Sequence, residues 1–155
     1  MPNGYVFPYG IALREGGVIE TFPAAEITFF SRERERLSLF LLIDSGAALS
    51  ALPVTDAPFL GIEVEKGIPM RIAGIDGKAI HGWRHELSVG IGKEMVELPV
   101  VFLENRDAPR VLGRKGVFER FFVIFEESKS RTGLIKGGTR ESRKIRELLD
   151  RIGNS

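Results

Sequence analysis

The sequence predicts a mainly β protein that ends in one amphipathic helix. Phe, Ile and Val dominate the first 127 residues, and Gly, Pro and Asp interrupt them every several residues, as in short strands joined by turns. No long helical period is visible there, and only residues 116–120 suggest a short helix. After this region Ile145, Leu148, Leu149 and Ile152 follow the i, i+3, i+4, i+7 spacing of a helix with one apolar face.

The strands are expected to form mostly from neighbours in sequence. Asp76-Gly77 favours a type I′ hairpin turn, because both central residues of that turn need positive φ. The uninterrupted apolar residues 41–43 predict a strand buried on both faces. The expected strands are residues 11–13 paired with 18–22, then 26–30 and 37–43, then 70–75 paired with 78–80, then 85–91 paired with 98–103, and 121–125 as the last strand.

Charge divides the chain into two parts. The length of 155 residues fits one ordinary domain with a tail. Residues 1–127 carry 14 Lys and Arg against 18 Asp and Glu, whereas residues 128–155 carry 8 against 3. We therefore predict a mildly acidic domain over residues 1–127 and a basic linker with a C-terminal helix over residues 128–155. Thr139 is the expected helix cap and Gly153 the expected stop.

Composition excludes several classes of chemistry. The chain has no cysteine, which removes disulfides, thiolate metal sites and cysteine nucleophiles. Its two histidines, His81 and His85, are spaced as helical zinc ligands would be, but Gly82 and the strand pattern argue against a helix there. The chain start lacks the pattern of a secretory signal, and the longest apolar run covers only residues 39–43. A cytoplasmic protein without a membrane span is the expectation.

Asp44 is the residue whose position suggests chemistry. It follows a fully apolar strand and precedes Ser45-Gly46, so a carboxylate stands at the end of a buried element. A buried carboxylate needs partners or a function, because leaving it unpaired is costly. Gly46 permits a tight turn that presents the Asp44 side chain, and Ser45 supplies a hydroxyl that braces the loop.

Three ordered elements give this aspartate a context. Residues 42–47 read Leu-Ile-Asp-Ser-Gly-Ala, residues 70–80 form a Gly-containing hairpin, and residues 111–114 read Val-Leu-Gly-Arg. Over residues 20–126 the sequence resembles the retropepsin-like aspartic proteases, whose pattern contains these elements in this order. The resemblance implies a closed β-barrel of the acid protease fold and an aspartic endopeptidase. It implies no metal and no organic cofactor.

The chain contains one Asp-Ser-Gly motif, and aspartic proteolysis needs two carboxylates. We therefore expect a homodimer that places Asp44 of each copy face to face and binds a peptide or protein substrate in extended conformation. The residues assigned to this site are Asp44 as the catalytic group; Ser45, Gly46 and Ala47 as its supporting loop; Ile72, Ala73, Gly74, Ile75, Asp76 and Gly77 as a substrate-binding flap; and Leu112, Gly113 and Arg114 as the structural segment beside it.

Two features leave alternatives open. Ala48 stands where the retroviral enzymes usually have an acidic partner for Arg114, so Arg114 is expected to pair elsewhere, for instance with an acidic residue of the second copy. The basic tail is expected to pack its apolar face on the domain or on the partner, and nucleic-acid binding is the minority hypothesis. The second hypothesis for the whole protein is a non-catalytic dimeric peptide-binding or assembly module of the same fold.

Overall fold

A computed structural model describes residues 2–31, 35–73 and 77–154 of the chain. It confirms a mainly β protein with a C-terminal helix. The helix α1 spans Arg140–Gly153. The strands are β1 (Gly4–Pro8), β2 (Gly10–Leu13), β3 (Ile19–Phe22), β4 (Ala24–Phe30), β5 (Arg36–Ile43), β6 (Ser50–Pro53), β7 (Ile68–Ala73), β8 (Ala79–Ile91), β9 (Glu94–Leu103), β10 (Val111–Leu112), β11 (Phe121–Glu126) and β12 (Arg131–Lys136).

The largest sheet closes on itself. Its strands follow the order β4, β5, β10, β6, β9, β8, and β8 pairs again with β4 while β7 extends the sheet from β8. This ring is the closed sheet that the resemblance implied. The side chains that fill it are apolar and fully buried; the largest are Phe29, Phe102, Ile27, Leu41, Leu52, Ile91, Leu98 and Leu112.

The predicted hairpins are confirmed with adjusted bounds. β2 pairs with β3, β7 with β8, and β8 with β9, all antiparallel. Residues 78–80 and 85–91 belong to one long strand, β8, rather than to two. In β5 Leu41 and Ile43 are buried, whereas Leu42 is only half-buried, so the expectation of burial on both faces is wrong for that residue. Leu42 and Asp44 therefore share the less buried side of β5, because side chains alternate along a strand.

Two expectations for the end of the domain are wrong. Residues 121–125 are not the last strand, because β12 follows and pairs with both β11 and β1. The expected linker therefore contains a strand, while the division of the chain at residue 127 stays a prediction. Residues 116–120 form turns instead of a helix, with the Arg120 amide donating to the carbonyl oxygen of Val117, three residues earlier, at 3.0 Å.

The hairpin of β2 and β3 stands apart from both other sheets. Its strands pair only with each other among the described residues. Ile11, Leu13 and Ile19 share one of its faces and are each about 70% exposed. The opposite face carries Ala12 and Phe22, which line a cavity of about 390 Å³ beside Leu42. The hairpin is thus two-sided, and the single chain leaves its apolar outer face in solvent.

Helix α1 begins as predicted. The Ser142 amide donates to the Thr139 hydroxyl at 3.2 Å, which satisfies one of the amides that the first helical turn leaves without a partner. The Arg146 guanidinium lies over the Phe122 ring of β11, 5.5 Å from its centre. Leu148 and Leu149 remain about half exposed, so the described residues leave this part of the apolar stripe uncovered. Among the described residues no helix has the length and apolarity needed to span a membrane.

An exposed ion pair joins the ends of β11 and β12, and it predicts a pH effect. The Arg131 guanidinium donates a hydrogen bond to Glu126 and lowers the pKa of that carboxyl. A lowered pKa in the folded state stabilises the fold above the carboxyl's unfolded pKa, and this contribution disappears as pH falls through the folded pKa. We expect Glu126→Gln to lower the urea midpoint slightly at pH 7. At strongly acid pH, where Glu126 is protonated, we expect wild type and variant to have the same urea midpoint. A difference in midpoint that persists at this pH contradicts the prediction.

Candidate active site

The candidate site forms where three strands lie side by side. β10 runs between β5 and β6, parallel to β5 with Leu112 opposite Ile43, and antiparallel to β6. The connection from β5 to β6 comprises residues 44–49 and therefore begins and ends on either side of β10. This arrangement brings Asp44 and the Gly113-Arg114 segment together, although about 70 residues separate them in sequence.

Asp44 is held at the end of β5 by hydrogen bonds of its own backbone and side chain. Its amide donates to the Leu112 carbonyl oxygen at 3.1 Å, which continues the β5–β10 pairing by one residue. Its Oδ1 accepts a hydrogen bond from the Gly46 amide at 2.8 Å. The side chain is half-buried, and within the described residues its Oδ2 accepts no hydrogen bond. One carboxylate oxygen is thus fixed, and the other is available to a reactant.

The loop after Asp44 is anchored by the segment that follows β10. The Arg114 amide donates to the Ala47 carbonyl oxygen at 3.0 Å, and the Lys115 amide donates to the Ala48 carbonyl oxygen at 3.0 Å. The Arg114 Nη1 donates to the Ser45 carbonyl oxygen at 2.8 Å. Within the described residues of one chain Arg114 therefore has a backbone acceptor, and an acidic partner from a second copy stays a prediction. The charge of Arg114 is placed directly on the turn that carries Asp44.

Only glycine fits at position 113, because the backbone of Leu49 leaves no room for a side chain. A Cβ built at this position would lie 2.4 Å from the backbone carbonyl group of Leu49, closer than real atoms approach. The close contact lets the Gly113 amide donate to the Ser50 hydroxyl at 3.0 Å. Ser50 is fully buried at the start of β6. This bond fixes the end of β10 to the strand on its other side.

Removing the Ser50 hydroxyl should destabilise the fold measurably. We expect Ser50→Ala to lower the free energy of unfolding by about 1–3 kcal/mol, because it leaves the buried Gly113 amide without an acceptor. Urea unfolding followed by circular dichroism measures the change. Ser88→Ala is the matched control, since Ser88 is exposed on β8 and should change the free energy of unfolding by no more than about 0.5 kcal/mol. Equal midpoints for the two variants would contradict the assignment.

The predicted flap lies partly outside the described residues. β7 and β8 form the expected hairpin, with Ile72 opposite Ile80 and Ala73 opposite Ala79. Gly77 has a φ of 77°, a backbone conformation that glycine adopts without strain. The remaining flap residues, Gly74, Ile75 and Asp76, fall outside the described ranges. That this hairpin closes over Asp44 stays a prediction.

Other features of the sequence lie away from Asp44. His81 and His85 both lie on β8, and the His85 Nε2 is 3.0 Å from the Val64 carbonyl oxygen. His85 also meets the Phe102 ring edge-on, which indicates a packing role. A cavity of about 520 Å³ is lined by His85 and by apolar residues such as Phe29, and Asp44 does not line it.

Comparison with known proteins gives the fold a context. No family model matches the chain, and no curated protein matches it. Among solved structures, a retropepsin-like aspartic protease from Rickettsia conorii is similar with a TM-score of 0.57 and 20% identity, over 86% of this chain and 100% of that one. EIAV protease in complex with the inhibitor HBY-793 is similar with a TM-score of 0.51 and 17% identity, over 64% of this chain and 88% of that one.

These two likenesses agree with the motifs found in the sequence. The strand that leads into Asp44, the β7–β8 hairpin and the Leu112-Gly113-Arg114 segment occur in the order that the resemblance implied. The chain therefore has the retropepsin-like fold of the acid proteases.

Proposed function

We propose that this protein is an aspartic endopeptidase whose active site is completed by a second copy of the chain. The observation that carries the proposal is the position of Asp44. It stands at the end of β5 with one carboxylate oxygen held by the Gly46 amide and the other without a partner among the described residues. The retropepsin-like fold surrounding this aspartate supports the assignment.

The chemistry requires two carboxylates that share one proton. The ionised Asp44 takes a proton from a water molecule, and the resulting hydroxide attacks the carbonyl carbon of the peptide bond. The protonated Asp44 donates a hydrogen bond to the carbonyl oxygen, which gains negative charge. Proton transfer to the amide nitrogen then lets the carbon–nitrogen bond break, and an acid and an amine leave. Two carboxylates this close cannot both be ionised, which is why one remains protonated to act as the acid.

A second carboxylate of the right kind is not offered by the described part of one chain. Asp56 is buried and bound to Arg110, and Asp107 lies in an exposed loop. A two-fold axis beside Asp44 would supply the same residue from the second copy. The exposed Ser45 next to Asp44 supports a second copy at this site, and the uncovered apolar face of the β2–β3 hairpin offers further surface for contact between copies. Ile43, which precedes Asp44, donates its amide to the Pro23 carbonyl oxygen at the base of that hairpin.

The proposed substrate is an extended peptide segment. An extended chain can add to strand edges by backbone hydrogen bonds, and the β7–β8 hairpin is the element we assign as the flap that provides them. The two similar structures are an aspartic protease and a protease in complex with an inhibitor, which supports a protease function for this chain. The proposal needs no metal and no organic cofactor.

The test combines cleavage and oligomeric state. Purified protein is incubated with an unstructured protein between about pH 3 and pH 8, and fragments are identified by mass spectrometry. Light scattering on the same sample measures the molar mass. Cleavage by a dimer supports the proposal. A dimer that cleaves nothing contradicts the endopeptidase and favours the alternative, a non-catalytic peptide-binding module. A strict monomer that cleaves the substrate contradicts an active site shared between two copies.

A further inference from the structure

An ion pair that the proposed chemistry does not use lies beside the candidate site. The Arg110 Nε donates to Asp56 Oδ2 at 2.7 Å, and the Arg110 Nη2 donates to Asp56 Oδ1 at 2.8 Å. This two-bond geometry matches a guanidinium to a carboxylate and fixes their relative orientation. Asp56 is only 5% exposed, whereas the Arg110 side chain is partly open to solvent. The hydrogen bonds to Asp56 raise the pKa of Arg110 above its ordinary value.

The pair is connected to Asp44 through the backbone. Arg110 directly precedes β10, and its carbonyl oxygen accepts a hydrogen bond from the Leu42 amide at 2.9 Å. Two residues later, the Leu112 carbonyl oxygen accepts the Asp44 amide at 3.1 Å. Arg110 therefore anchors the start of the segment whose end holds the Asp44 backbone.

β10 is a very short strand. It comprises Val111 and Leu112 alone, and besides its pairing with β5 and β6 it is restrained by bonds at its two ends. At the far end the Gly113 amide is bound to the buried Ser50 hydroxyl. At the near end the side chain of Arg110 is bound to Asp56, which lies in the helical turn 54–60 that follows β6. The pair thus gives the near end of β10 the anchor that Ser50 gives the far end.

We propose that Asp56 and Arg110 are positioning residues for Asp44. They fix the position of β10, whose Leu112 carbonyl oxygen accepts the hydrogen bond from the Asp44 amide. In the dimer this keeps the two Asp44 carboxylates close enough to share one proton. The proposal rests on the proposed endopeptidase function for its effect on rate. Its structural part, the restraint of the Asp44 amide, can be measured without any activity.

Asp56→Asn is the primary test, because it keeps the shape of the side chain, removes its charge and leaves only one of the two oxygens that accept from the guanidinium. Asp56 is 5% exposed and does not line the 390 Å³ cavity beside Leu42, which Arg110 does line, so the substitution itself is made at a buried position. We expect kcat to fall by about 10- to 100-fold with KM within about twofold, as for a misplaced catalytic group. We also expect hydrogen exchange of the Asp44 and Leu42 amides, followed by NMR, to accelerate by about tenfold or more.

A matched control is offered by a second partly buried ion pair. The Lys136 Nζ donates to Glu94 Oε1 at 2.8 Å, and this pair links β12 to β9. Glu94→Gln should lower the stability of the fold without changing kcat or the exchange of the Asp44 amide. If Asp56→Asn does not fold, Arg110→Lys replaces it, because lysine keeps the charge but cannot make the two-bond contact.

The outcomes separate the two proposals. Faster Asp44 amide exchange together with lower kcat in Asp56→Asn, and neither effect in Glu94→Gln, supports the positioning role. Unchanged exchange at Asp44 overturns it, whatever the activity. If the wild type cleaves nothing, the endopeptidase proposal fails, and the exchange measurement alone still decides whether the pair restrains Asp44. A variant that loses only stability, with wild-type kcat and exchange, assigns the pair a purely structural role and also overturns the inference.

Discussion

Asp44→Asn should reduce peptide cleavage by about a thousandfold or more, because an amide can neither take the proton from water nor return one to the leaving nitrogen. The fold should be unaffected. Asparagine retains an Oδ1 that accepts the Gly46 amide, and the backbone bond to the Leu112 carbonyl oxygen does not involve the side chain. Initial rates on a quenched fluorescent peptide, with thermal unfolding of the same preparations, measure both expectations.

The matched control for this variant is Asp150→Asn. Asp150 is exposed on α1 and should tolerate the same chemical change with no loss of rate. Equal rates for wild type and Asp44→Asn would mean that the cleavage comes from another protein in the preparation or from another group in the chain. A variant that is inactive and also unfolded decides nothing about chemistry, so the unfolding curve must coincide with that of the wild type before the rate is interpreted.

Mixing the wild type with a roughly ninefold excess of Asp44→Asn should lower the activity of each wild-type chain about tenfold. If chains exchange freely, about one wild-type chain in ten then has a wild-type partner, and only those dimers hold two intact carboxylates. The experiment requires incubation long enough for exchange, which a fluorescent label on one preparation can follow. The expected effect comes from sharing of the site and not from the folding of the variant.

A mixture that retains full activity per wild-type chain after demonstrated exchange would show that one chain carries a complete site. Asp150→Asn added in the same excess provides the control, because its dimers with wild type keep both copies of Asp44. A loss of activity with this control as well would indicate simple inhibition at high protein concentration. Dilution of the wild type alone gives an independent reading, since a shared site loses specific activity as the dimer dissociates.

The parts of the fold that could be predicted from the sequence are those specified locally. The β2–β3 and β8–β9 hairpins pair across short turns marked by Gly, and helix α1 has both its cap and its apolar stripe in one continuous segment. β12 could not be predicted in the same way. Its sequence, residues 131–136, lies within a basic region, and its two partners, β1 and β11, include one from the opposite end of the chain. The basic composition of this segment indicated a linker, but pairing with strands far away in the sequence makes it a strand.

The candidate site shows the same division. Asp44 and Gly46 could be recognised because the strand, the carboxylate and the turn are consecutive. The acceptor of the Arg114 hydrogen bond could not be predicted, because it is the backbone carbonyl oxygen of Ser45. Every residue has such an oxygen, so the sequence does not indicate which one is used. Asp56 and Arg110 are separated by 54 residues, and no motif links them. A bidentate pair of this kind becomes visible only when the fold brings the two side chains together.

The pairing of β1 with β12 has a consequence for the order in which the protein can fold. β1 precedes the strands of the ring in the chain, but its one partner strand among the described residues is β12, more than 120 residues later. During synthesis the ring of β4 to β10 can close before β12 exists, so that β1, which packs Tyr5 and Phe7 against the core in the folded chain, still lacks its partner strand. Contacts between such distant segments form slowly. We therefore expect nascent chains that stop before residue 131 to associate with one another through the exposed edge of β1 unless they are protected. Once β12 has paired with β1, this edge is no longer available for such association.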